Sequence, residues 1–369
     1  MDAPSAQTGT RPVADQHAFD TAALDAWLQP RLPDYRGPLT VEQFKGGQSN
    51  PTFKLITPGA TYVMRAKPGP SAKLLPSAHA IEREFRVMKA LAATDVPVAQ
   101  MHLLCEDESV IGRAFYVMEH VAGRVLWDQT LPGMTPDERG ALYDEMNRVI
   151  AALHRVDPAA IGLGDYGRPG SYFERQIARW SRQYQASVTD PIPEMDRLID
   201  WLPAHLPDGA RDDTQVSIVH GDFRLDNLMF HPTEPRVLAV LDWELSTLGH
   251  PIADFSYHGM AWHIPPGVFR GIAGADLAAL GIPSEEDYVR RYLARSRPGI
   301  SFEALMADWD YYLAYNMFRI AAILQGIAKR VVEGTASSDQ ARQAGAGARP
   351  MAKLAWKHAL RAGAMPAAD

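Results

Sequence analysis

The stretch that decides the fold is His220-Gly221-Asp222-Phe223-Arg224-Leu225-Asp226-Asn227, and Val240-Leu241-Asp242-Trp243-Glu244 follows it after a short interval. The first stretch comes directly after a short apolar run of the kind that forms buried strands, and Asp242 lies at the end of another. The first strand therefore leads into a turn that carries Asp222 and, five residues later, Asn227. The returning strand ends at Asp242, so three polar side chains are presented from two neighbouring strands.

Two carboxylates and an amide in this order match the needs of phosphoryl transfer from ATP. Asp222 would position an acceptor hydroxyl, while the oxygens of Asn227 and Asp242 would hold Mg²⁺ on the triphosphate. A single Asp or Asn in a turn usually only caps backbone groups, so the prediction depends on the ordered set. A metal hydrolase would need further clustered ligands, and His231 and His250 lie at no suitable spacing.

Composition excludes several classes of protein. The chain has 369 residues, 46% of them hydrophobic, and a formal net charge of −7, which argues against nucleic acid or an anionic membrane as its main partner. The single Cys105 rules out an internal disulfide framework and fits a reducing compartment. No apolar run is long enough for a membrane span, and we do not expect the polar first seventeen residues to act as a secretory signal. We therefore expect a cytoplasmic protein.

The N-terminal third has the pattern of a small sheet with helices. We expect residues 1–17 to be a disordered leader, followed by a helix from Phe19 to Leu28 with Asp20 or Thr21 as its cap. Strand patterns then follow at 39–44, 52–56, 61–67, 103–105 and 115–118.

The first two main strands are joined by a glycine turn that consists of Gly46, Gly47, Gln48, Ser49 and Asn50. Its backbone N–H groups could cover phosphates, although a Gly-Gly pair alone more often marks an ordinary turn. The next strand carries Arg65 and Lys67 on one face. A cation there could pair with ATP phosphates if a carboxylate held it in place. The following helix, 78–92, offers Glu82 and Glu84, and spacing favours neither.

The remainder of the chain is mostly helical in pattern. We expect helices at 136–154, 172–186, 194–205, 284–295, 302–330 and 349–362. The longest of them is apolar on most sides but interrupted by Asn316, Arg319 and Gln325, which is typical of a buried core helix and not of a membrane helix. The Ser-, Gly- and Ala-rich stretch 334–350 is expected to be a surface loop.

This order of elements resembles the aminoglycoside phosphotransferase superfamily, which shares the protein-kinase-like fold. The stretches that carry the resemblance are 46–52, 62–68, 115–123, 219–230 and 241–251. They are similar to the kinase-like domain at the front of acyl-CoA dehydrogenase family members ten and eleven and to its free-standing bacterial relatives. The resemblance implies an α+β bilobal fold, with a small β-rich N-lobe over 18–121 that has one main helix, and a larger, mostly helical C-lobe over 122–363.

The resemblance also implies roles for residues of the catalytic stretches. Asp222 matches the catalytic base, and Asn227 and Asp242 match the Mg²⁺ ligands. The cation that pairs with phosphate falls at Arg65, although Lys67 could serve instead. The metal motif is Asp-Trp-Glu in place of Asp-Phe-Gly, and no Ala-Pro-Glu segment follows, so a protein acceptor is not expected.

Nucleotide contacts are implied in the same way for the N-lobe. The glycine turn, 46–50, matches the loop that covers the phosphates, and Glu84 matches the helix carboxylate. The backbones of Glu119 and Val121 match the hinge that binds adenine, and Met118 matches the residue at the back of that pocket. ATP and Mg²⁺ are therefore the expected cofactors.

The acceptor is predicted less directly. The stretch 255–263 is aromatic and contains His, and 264–282 contains a single acid, Asp276, which suits an apolar or anionic acceptor better than a polycation. About half of these aromatics could equally be core residues. Arg224 could bind an acceptor carboxylate or phosphate through two parallel hydrogen bonds, or it could form a structural ion pair.

The resemblance implies a small hydroxylated acceptor, in particular a hydroxylated fatty acyl group carried as a CoA thioester. Two alternatives remain open from the sequence. One is a kinase of an aminoglycoside or a choline-like acceptor. The other is a catalytically silent nucleotide-binding module.

Overall fold

The chain divides into two units, and each unit is made of two separate stretches of sequence. The computed structural model describes residues 9–45, 50–69, 80–266, 269–296, 300–335 and 339–365. Unit 1 comprises residues 1–127 and 226–246, and unit 2 comprises 128–225 and 247–369. This differs from the single boundary expected after residue 121, because the segment with Asn227 and Asp242 belongs to the unit that contains the N-terminal sheet.

The strands, in chain order, are β1 (Thr10–Arg11), β2 (Thr40–Phe44), β3 (Thr52–Ile56), β4 (Thr61–Ala66), β5 (Met101–Cys105), β6 (Phe115–Glu119), β7 (Arg124–Val125), β8 (Ser217–Val219), β9 (Leu228–Phe230), β10 (Val237–Val240) and β11 (Thr247–Gly249). The helices are α1 (Thr21–Leu28), α2 (Ile81–Leu91), α3 (Pro136–Arg155), α4 (Tyr172–Ser187), α5 (Pro193–Ala204), α6 (Pro251–Gly259), α7 (Leu277–Leu280), α8 (Glu285–Ser296), α9 (Phe302–Ala307), α10 (Trp309–Val332), α11 (Asp339–Ala346) and α12 (Ala348–Arg361).

The expectation of a disordered leader is wrong for residues 9–17. Strand β1 pairs antiparallel with β2, with Thr10 opposite Phe44. The Thr10 hydroxyl donates a hydrogen bond of 2.6 Å to Glu42, and Arg113 donates to the carbonyl of His17. The segment is held by polar side chains. Its low content of apolar residues therefore led to the wrong expectation that it is disordered. Residues 1–8 lie outside the described residues.

Unit 1 is built on an antiparallel sheet of strand order β1-β2-β3-β4-β6-β5. Alternation along β3 and β4 buries Phe53, Leu55 and Met64 in one core cluster with Leu24 and Leu28 of α1. The expected strands and the helix after Asp20 are confirmed. Asp20 caps that helix by accepting the N–H groups of two residues in its first turn.

A second sheet of unit 1 brings the two predicted metal residues close along the backbone. Strands β10, β9 and β7 pair antiparallel in that order. Beyond the last pair, the N–H of Leu241 donates to the carbonyl of Asn227 at 2.8 Å. Asn227 therefore lies beside the residue that immediately precedes Asp242.

Unit 2 is mainly helical, and two expectations about its C-terminal part are wrong. The expected helix 302–330 is interrupted at Asp308, which separates α9 from the largely buried α10. The expected loop 334–350 contains helix α11, in which Gly345 is a close-packing residue because a Cβ there would lie 2.8 Å from Ala328 Cα. No helix in the described part of the chain is long and apolar enough to cross a membrane.

Gly123, between β6 and β7, lies where its backbone passes close to β9 of the second sheet. A Cβ added to Gly123 would lie 2.5 Å from the carbonyl oxygen of Phe230, so Gly123→Ala forces the backbones of β7 and β9 apart. We expect a loss of about 1–3 kcal/mol of unfolding free energy, the usual result of overpacking. The measurement is urea unfolding followed by circular dichroism.

Gly59→Ala is the matched control, because nothing lies within 4 Å of the position that its Cβ would take. We expect its unfolding free energy to stay within about 0.5 kcal/mol of the wild type. Equal losses in the two variants would contradict the close-packing role of Gly123.

Candidate active site

In unit 1, Arg65 of β4 is surrounded by three carboxylates. Its Nε lies 3.0 Å from Oε2 of Glu84, and its Nη2 lies 3.1 Å from Oδ1 of Asp242 and 3.4 Å from Oε2 of Glu244. The Arg65 side chain is 11% exposed. Burial lowers the pKa of the guanidinium, but the surrounding carboxylates raise it overall, so the group stays charged.

Glu84 is the carboxylate that secures Arg65, and it is itself held by two neutral donors. Asn50 Nδ2 donates to Oε1 at 3.0 Å, and the Tyr116 hydroxyl donates to Oε2 at 3.2 Å. Burial raises the pKa of the Glu84 carboxyl, while Arg65 and the two hydrogen bonds limit that rise. We expected Asn50 in the phosphate-covering loop, and the structure shows that its side chain donates a hydrogen bond to the helix carboxylate, Glu84.

Lys67 has a different partner from Arg65. Its Nζ forms a salt bridge with Oε1 of Glu82, and both side chains are about a third exposed, at 29% and 31%. An exposed pair of this kind contributes little to stability, because water screens the charges. The spacing of the sequence left open whether Glu82 or Glu84 holds the strand cation. In the structure each holds one: Glu84 pairs with the buried Arg65, and Glu82 pairs with the more exposed Lys67.

Asp242 follows β10 in the left-handed backbone region, with φ 63° and ψ 64°. Asp tolerates this conformation better than most side chains. The next residue, Trp243, is 1% exposed and donates its indole N–H to the Val240 carbonyl at 2.9 Å. The buried indole anchors a 3₁₀ turn, Trp243–Leu245, so that the carboxylate of Asp242 remains partly exposed at the strand end.

The donors near this strand end fit a magnesium ion held together with phosphates. Asn227 and Asp242 offer an amide oxygen and a carboxylate, the hard oxygen donors that Mg²⁺ takes, and Mg²⁺ commonly completes its shell with water and substrate phosphate. In the ranges that the structure describes, no group of three or more His, Cys, Asp or Glu residues could hold a metal ion by itself.

The predicted adenine contacts lie at the end of β6. Met118 is paired with Val63 of β4, and Glu119 ends the strand. The N–H of Glu119 donates to the Gln100 carbonyl at 2.9 Å, so this N–H is already used. The predicted backbone contact of Glu119 with adenine would therefore be made by its carbonyl group. Val121 follows in the irregular segment before β7. The predicted phosphate loop residues Gly46, Gly47, Gln48 and Ser49 lie outside the described residues.

In unit 2, the loop after β8 is held by Asp254 of α6. Its carboxylate accepts the backbone N–H groups of His220 at 2.7 Å and of Gly221 at 2.8 Å. Gly221 has φ 82°, a conformation that favours glycine. Burial alone would raise the pKa of Asp254, yet the pKa lies below its usual value because of His154 and His220. The carboxylate therefore stays ionised while it holds the loop.

Asp222 follows directly and has partners on both of its oxygens. Nη2 of Arg224 lies 3.1 Å from Oδ2, and the hydroxyl of Tyr257 donates a hydrogen bond to Oδ1. The ion pair with Arg224 is the one we allowed for from the sequence. Arg319 of α10 donates to the Gly221 carbonyl from a side chain that is nearly inaccessible.

The sequence reasoning missed Asp254, Tyr257 and Arg319. The only signal for Asp254 and Arg319 was a charged residue inside an otherwise apolar run, which indicates a buried partner. Tyr257 stood in the aromatic stretch that we associated with the acceptor. Nothing in the sequence distinguished its hydroxyl from that of any other tyrosine in unit 2.

Several aromatics of the stretch 255–263 are core residues, as we allowed for. Phe255 stacks on Tyr292 with ring centroids 3.7 Å apart. His258 is buried, lies 2.8 Å from the Tyr288 hydroxyl, and has its pKa lowered to about 4 by burial. It is therefore neutral near pH 7 and supports the loop through a hydrogen bond to the backbone of Phe223.

A small pocket of unit 2 lies against the partners of Asp222. Two cations, Arg224 and Arg270, line it together with Tyr257 and with a group of mostly apolar side chains. The remaining lining residues are Gln129, His258, Met260, Ala261, Ile264 and Phe269. None of the described residues that line the pocket is acidic, so its lining combines positive charge with apolar surface.

Comparison with known proteins connects this chain to one family. The pattern described as "Phosphotransferase enzyme family" matches residues 40–293. Mouse acyl-CoA dehydrogenase family member 10 is 47% identical over 358 residues, which are 96% of this chain and 32% of that protein. The chain thus spans about a third of the length of this relative.

Solved structures give the same result for the fold. A Ralstonia eutropha protein, proposed to be an aminoglycoside phosphotransferase, is 66% identical and has a TM-score of 0.85 over 93% of this chain and 99% of that chain. An aminoglycoside phosphotransferase crystallised with AMP-PNP and hygromycin B is 17% identical, with a TM-score of 0.59 over 93% of this chain and all of that chain, and shares the fold alone. The expected kinase-like α+β fold is confirmed, and the chain belongs to the phosphotransferase enzyme family.

Proposed function

We propose that this phosphotransferase moves the γ-phosphoryl group of ATP, with Mg²⁺, to a hydroxyl of a small acceptor, in particular a hydroxyacyl compound. The observation that carries the proposal is the position of Arg65. This buried cation contacts Glu84 of α2 and Asp242 at the end of β10 within one unit. A phosphate-pairing cation held by a helix carboxylate, next to a metal-binding carboxylate, is what kinase-type phosphoryl transfer requires.

The nucleotide half of the reaction falls to unit 1. Arg65 would pair with phosphate oxygens, and Glu84 would keep its guanidinium in place. Asn227 and Asp242 would hold Mg²⁺, which when bound neutralises charge on the phosphates. AMP-PNP in the related aminoglycoside phosphotransferase supports ATP as the nucleotide.

The acceptor half falls to the loop after β8 in unit 2. Asp222 would orient the acceptor hydroxyl and take its proton as the phosphoryl group is transferred. The backbone of this loop is fixed by Asp254 and Arg319, so Asp222 is presented from a rigid segment. Rigid presentation matters because phosphoryl transfer depends mainly on positioning and on charge stabilisation.

The pocket beside Asp222 favours a hydroxyacyl acceptor over a polycation. Arg224 and Arg270 bring positive charge to the pocket, and Met260, Ile264 and Phe269 make the adjoining wall apolar, which suits an acceptor with a negative charge beside an apolar part. A hydroxyacyl-CoA is such a compound, and the similarity to acyl-CoA dehydrogenase family member 10 supports the same class. An aminoglycoside or choline would instead bring positive charge to two arginines.

Substitution of the strand cations separates the roles of Arg65 and Lys67. We expect Arg65→Ala to weaken ATP binding and turnover by about tenfold or more, and Lys67→Ala to have a smaller effect, because only Arg65 contacts Glu84 and Asp242. Steady-state kinetics with varied ATP measures this.

Arg65→Ala also leaves Glu84 buried without its cation, which can destabilise the protein by about 3–5 kcal/mol. Arg65→Lys, which keeps the charge, is therefore measured beside it, and all variants are compared at a temperature where each is folded. A larger loss with Lys67→Ala would move the role to Lys67.

Removal of the predicted metal carboxylate tests the metal assignment. We expect Asp242→Ala to abolish turnover and to remove the Mg²⁺-dependent part of the thermal shift that ATP produces, because Asp242 is the charged member of the pair. Asp107→Ala, which removes a carboxylate that caps a turn at Ser109, is the control and should behave as the wild type. Normal turnover by Asp242→Ala would disprove the assignment.

An acceptor panel tests the substrate class. Hydroxyacyl-CoAs, free hydroxy acids, choline, aminoglycosides and simple sugars are assayed for ADP release, and we expect activity with the hydroxyacyl compounds. Asp222→Asn should lower that turnover by a factor on the order of 10² or more, with ATP affinity nearly unchanged.

Each alternative has its own result in this panel. Activity confined to aminoglycosides or choline would reject the hydroxyacyl acceptor and leave the kinase reaction in place. If no acceptor in the panel gives ADP release while the protein still binds ATP, the catalytically silent nucleotide-binding module is favoured.

A further inference from the structure

We propose that Tyr257 is the positioning residue that fixes the carboxylate of Asp222 in the orientation needed for proton transfer. The inference deepens the proposed function and rests on it. Its starting point is the hydrogen bond from the Tyr257 hydroxyl to Oδ1 of Asp222, made from helix α6 to a loop that lies thirty-five residues away in sequence.

The two oxygens of Asp222 are engaged by different groups. Tyr257 donates to Oδ1, and Nη2 of Arg224 lies 3.1 Å from Oδ2. A carboxylate held at one oxygen only could still turn about its Cβ–Cγ bond. With both oxygens held, the plane of the carboxylate is fixed, and it can still receive the acceptor proton, since a carboxylate oxygen can accept more than one hydrogen bond.

The phenol ring is itself held rigidly. Tyr257 is 4% exposed, and the guanidinium carbon of Arg319 lies 5.1 Å from the centroid of its ring. The same guanidinium donates to the carbonyl of Gly221, the residue before Asp222. One buried cation therefore fixes both the ring that donates to Asp222 and the backbone that carries Asp222.

The hydroxyl of Tyr257 acts as a donor and not as a base. Burial and the adjacent Asp222 carboxylate raise the pKa of Tyr257 well above its ordinary value, so the hydroxyl keeps its proton. Tyr257 also lines the pocket with Arg224 and Arg270, the pocket that we assign to the acceptor under the proposed function.

In the reaction, the acceptor oxygen forms a bond to the γ-phosphorus as the bond from that phosphorus to the β–γ bridging oxygen breaks. The bridging oxygen leaves with the electron pair as part of ADP. The acceptor proton passes to the carboxylate of Asp222, and Tyr257 keeps its own proton throughout.

Tyr257→Phe removes the hydroxyl and keeps the ring against Arg319. We expect kcat with the hydroxyl acceptor to fall about 10- to 100-fold, since small misplacement of a reacting group has effects of this size. The KM for ATP should stay within about twofold, because Tyr257 has no predicted role in nucleotide binding. The thermal midpoint is measured for every variant.

Tyr311→Phe is the matched control. It also removes a buried hydroxyl from unit 2, one that donates to the Leu202 carbonyl at 2.8 Å. We expect it to change the thermal midpoint about as much as Tyr257→Phe does and to leave kcat within about twofold of the wild type. A purely structural role for Tyr257 would give the two variants the same kcat, which would overturn the inference.

A double-mutant cycle supplies a second readout. If Tyr257 acts through the Asp222 carboxylate, Tyr257→Phe should have no further effect on the single-turnover rate in an Asp222→Ala background. A full 10- to 100-fold loss in that background would overturn the inference.

The two proposals fail in different ways. Wild-type transfer to an alcohol with an unchanged kcat in Tyr257→Phe would reject the role of Tyr257 alone. A wild-type protein that transfers to no alcohol would reject the proposed function and the inference together.

Discussion

One buried carboxylate, that of Asp254, sets the shape of the loop on which the proposed chemistry of unit 2 depends. It accepts two consecutive backbone N–H groups, at His220 and Gly221, and is itself supported by His154 at 3.2 Å. Consecutive N–H groups can point at one acceptor only if the chain turns sharply, which the positive φ of Gly221 allows. Loss of this carboxylate would leave buried donors unpaired, so the loop conformation and the charge of Asp254 are inseparable.

Unit 1 also contains a buried charge, that of Arg65. Three carboxylates surround this cation, and one of them, Glu84, is almost completely buried. A buried charge is tolerable only when it is paired and hydrogen-bonded, and Asn50 and Tyr116 supply the neutral donors for Glu84. The cluster retains more negative than positive charge, and Asp242 and Glu244 are its more exposed carboxylates.

Features set by neighbours along the chain could be predicted from sequence, whereas features set by packing could not. Alternation predicted strand β4, and the capped helix after Asp20 followed from its first turn. The pairing of Glu84 with Arg65 depends on the rotation of α2 against the sheet, so local spacing left Glu82 and Glu84 open and only the family resemblance indicated Glu84. The bond from Tyr257 to Asp222 likewise joins residues thirty-five positions apart, and Arg319 comes from a third element.

The discontinuity of unit 1 has a consequence for biosynthesis. Strand β7 pairs with β9, and Arg65 contacts Asp242, yet β9 and Asp242 emerge from the ribosome only after residues 128–225 have been made. The N-terminal unit cannot finish folding first, as domains of a growing chain usually do, and its closure must wait for a long-range contact. A polypeptide ending at Trp127 would keep an unpaired strand edge and an incomplete charge cluster, which are the features that chaperones and proteases encounter in nascent chains.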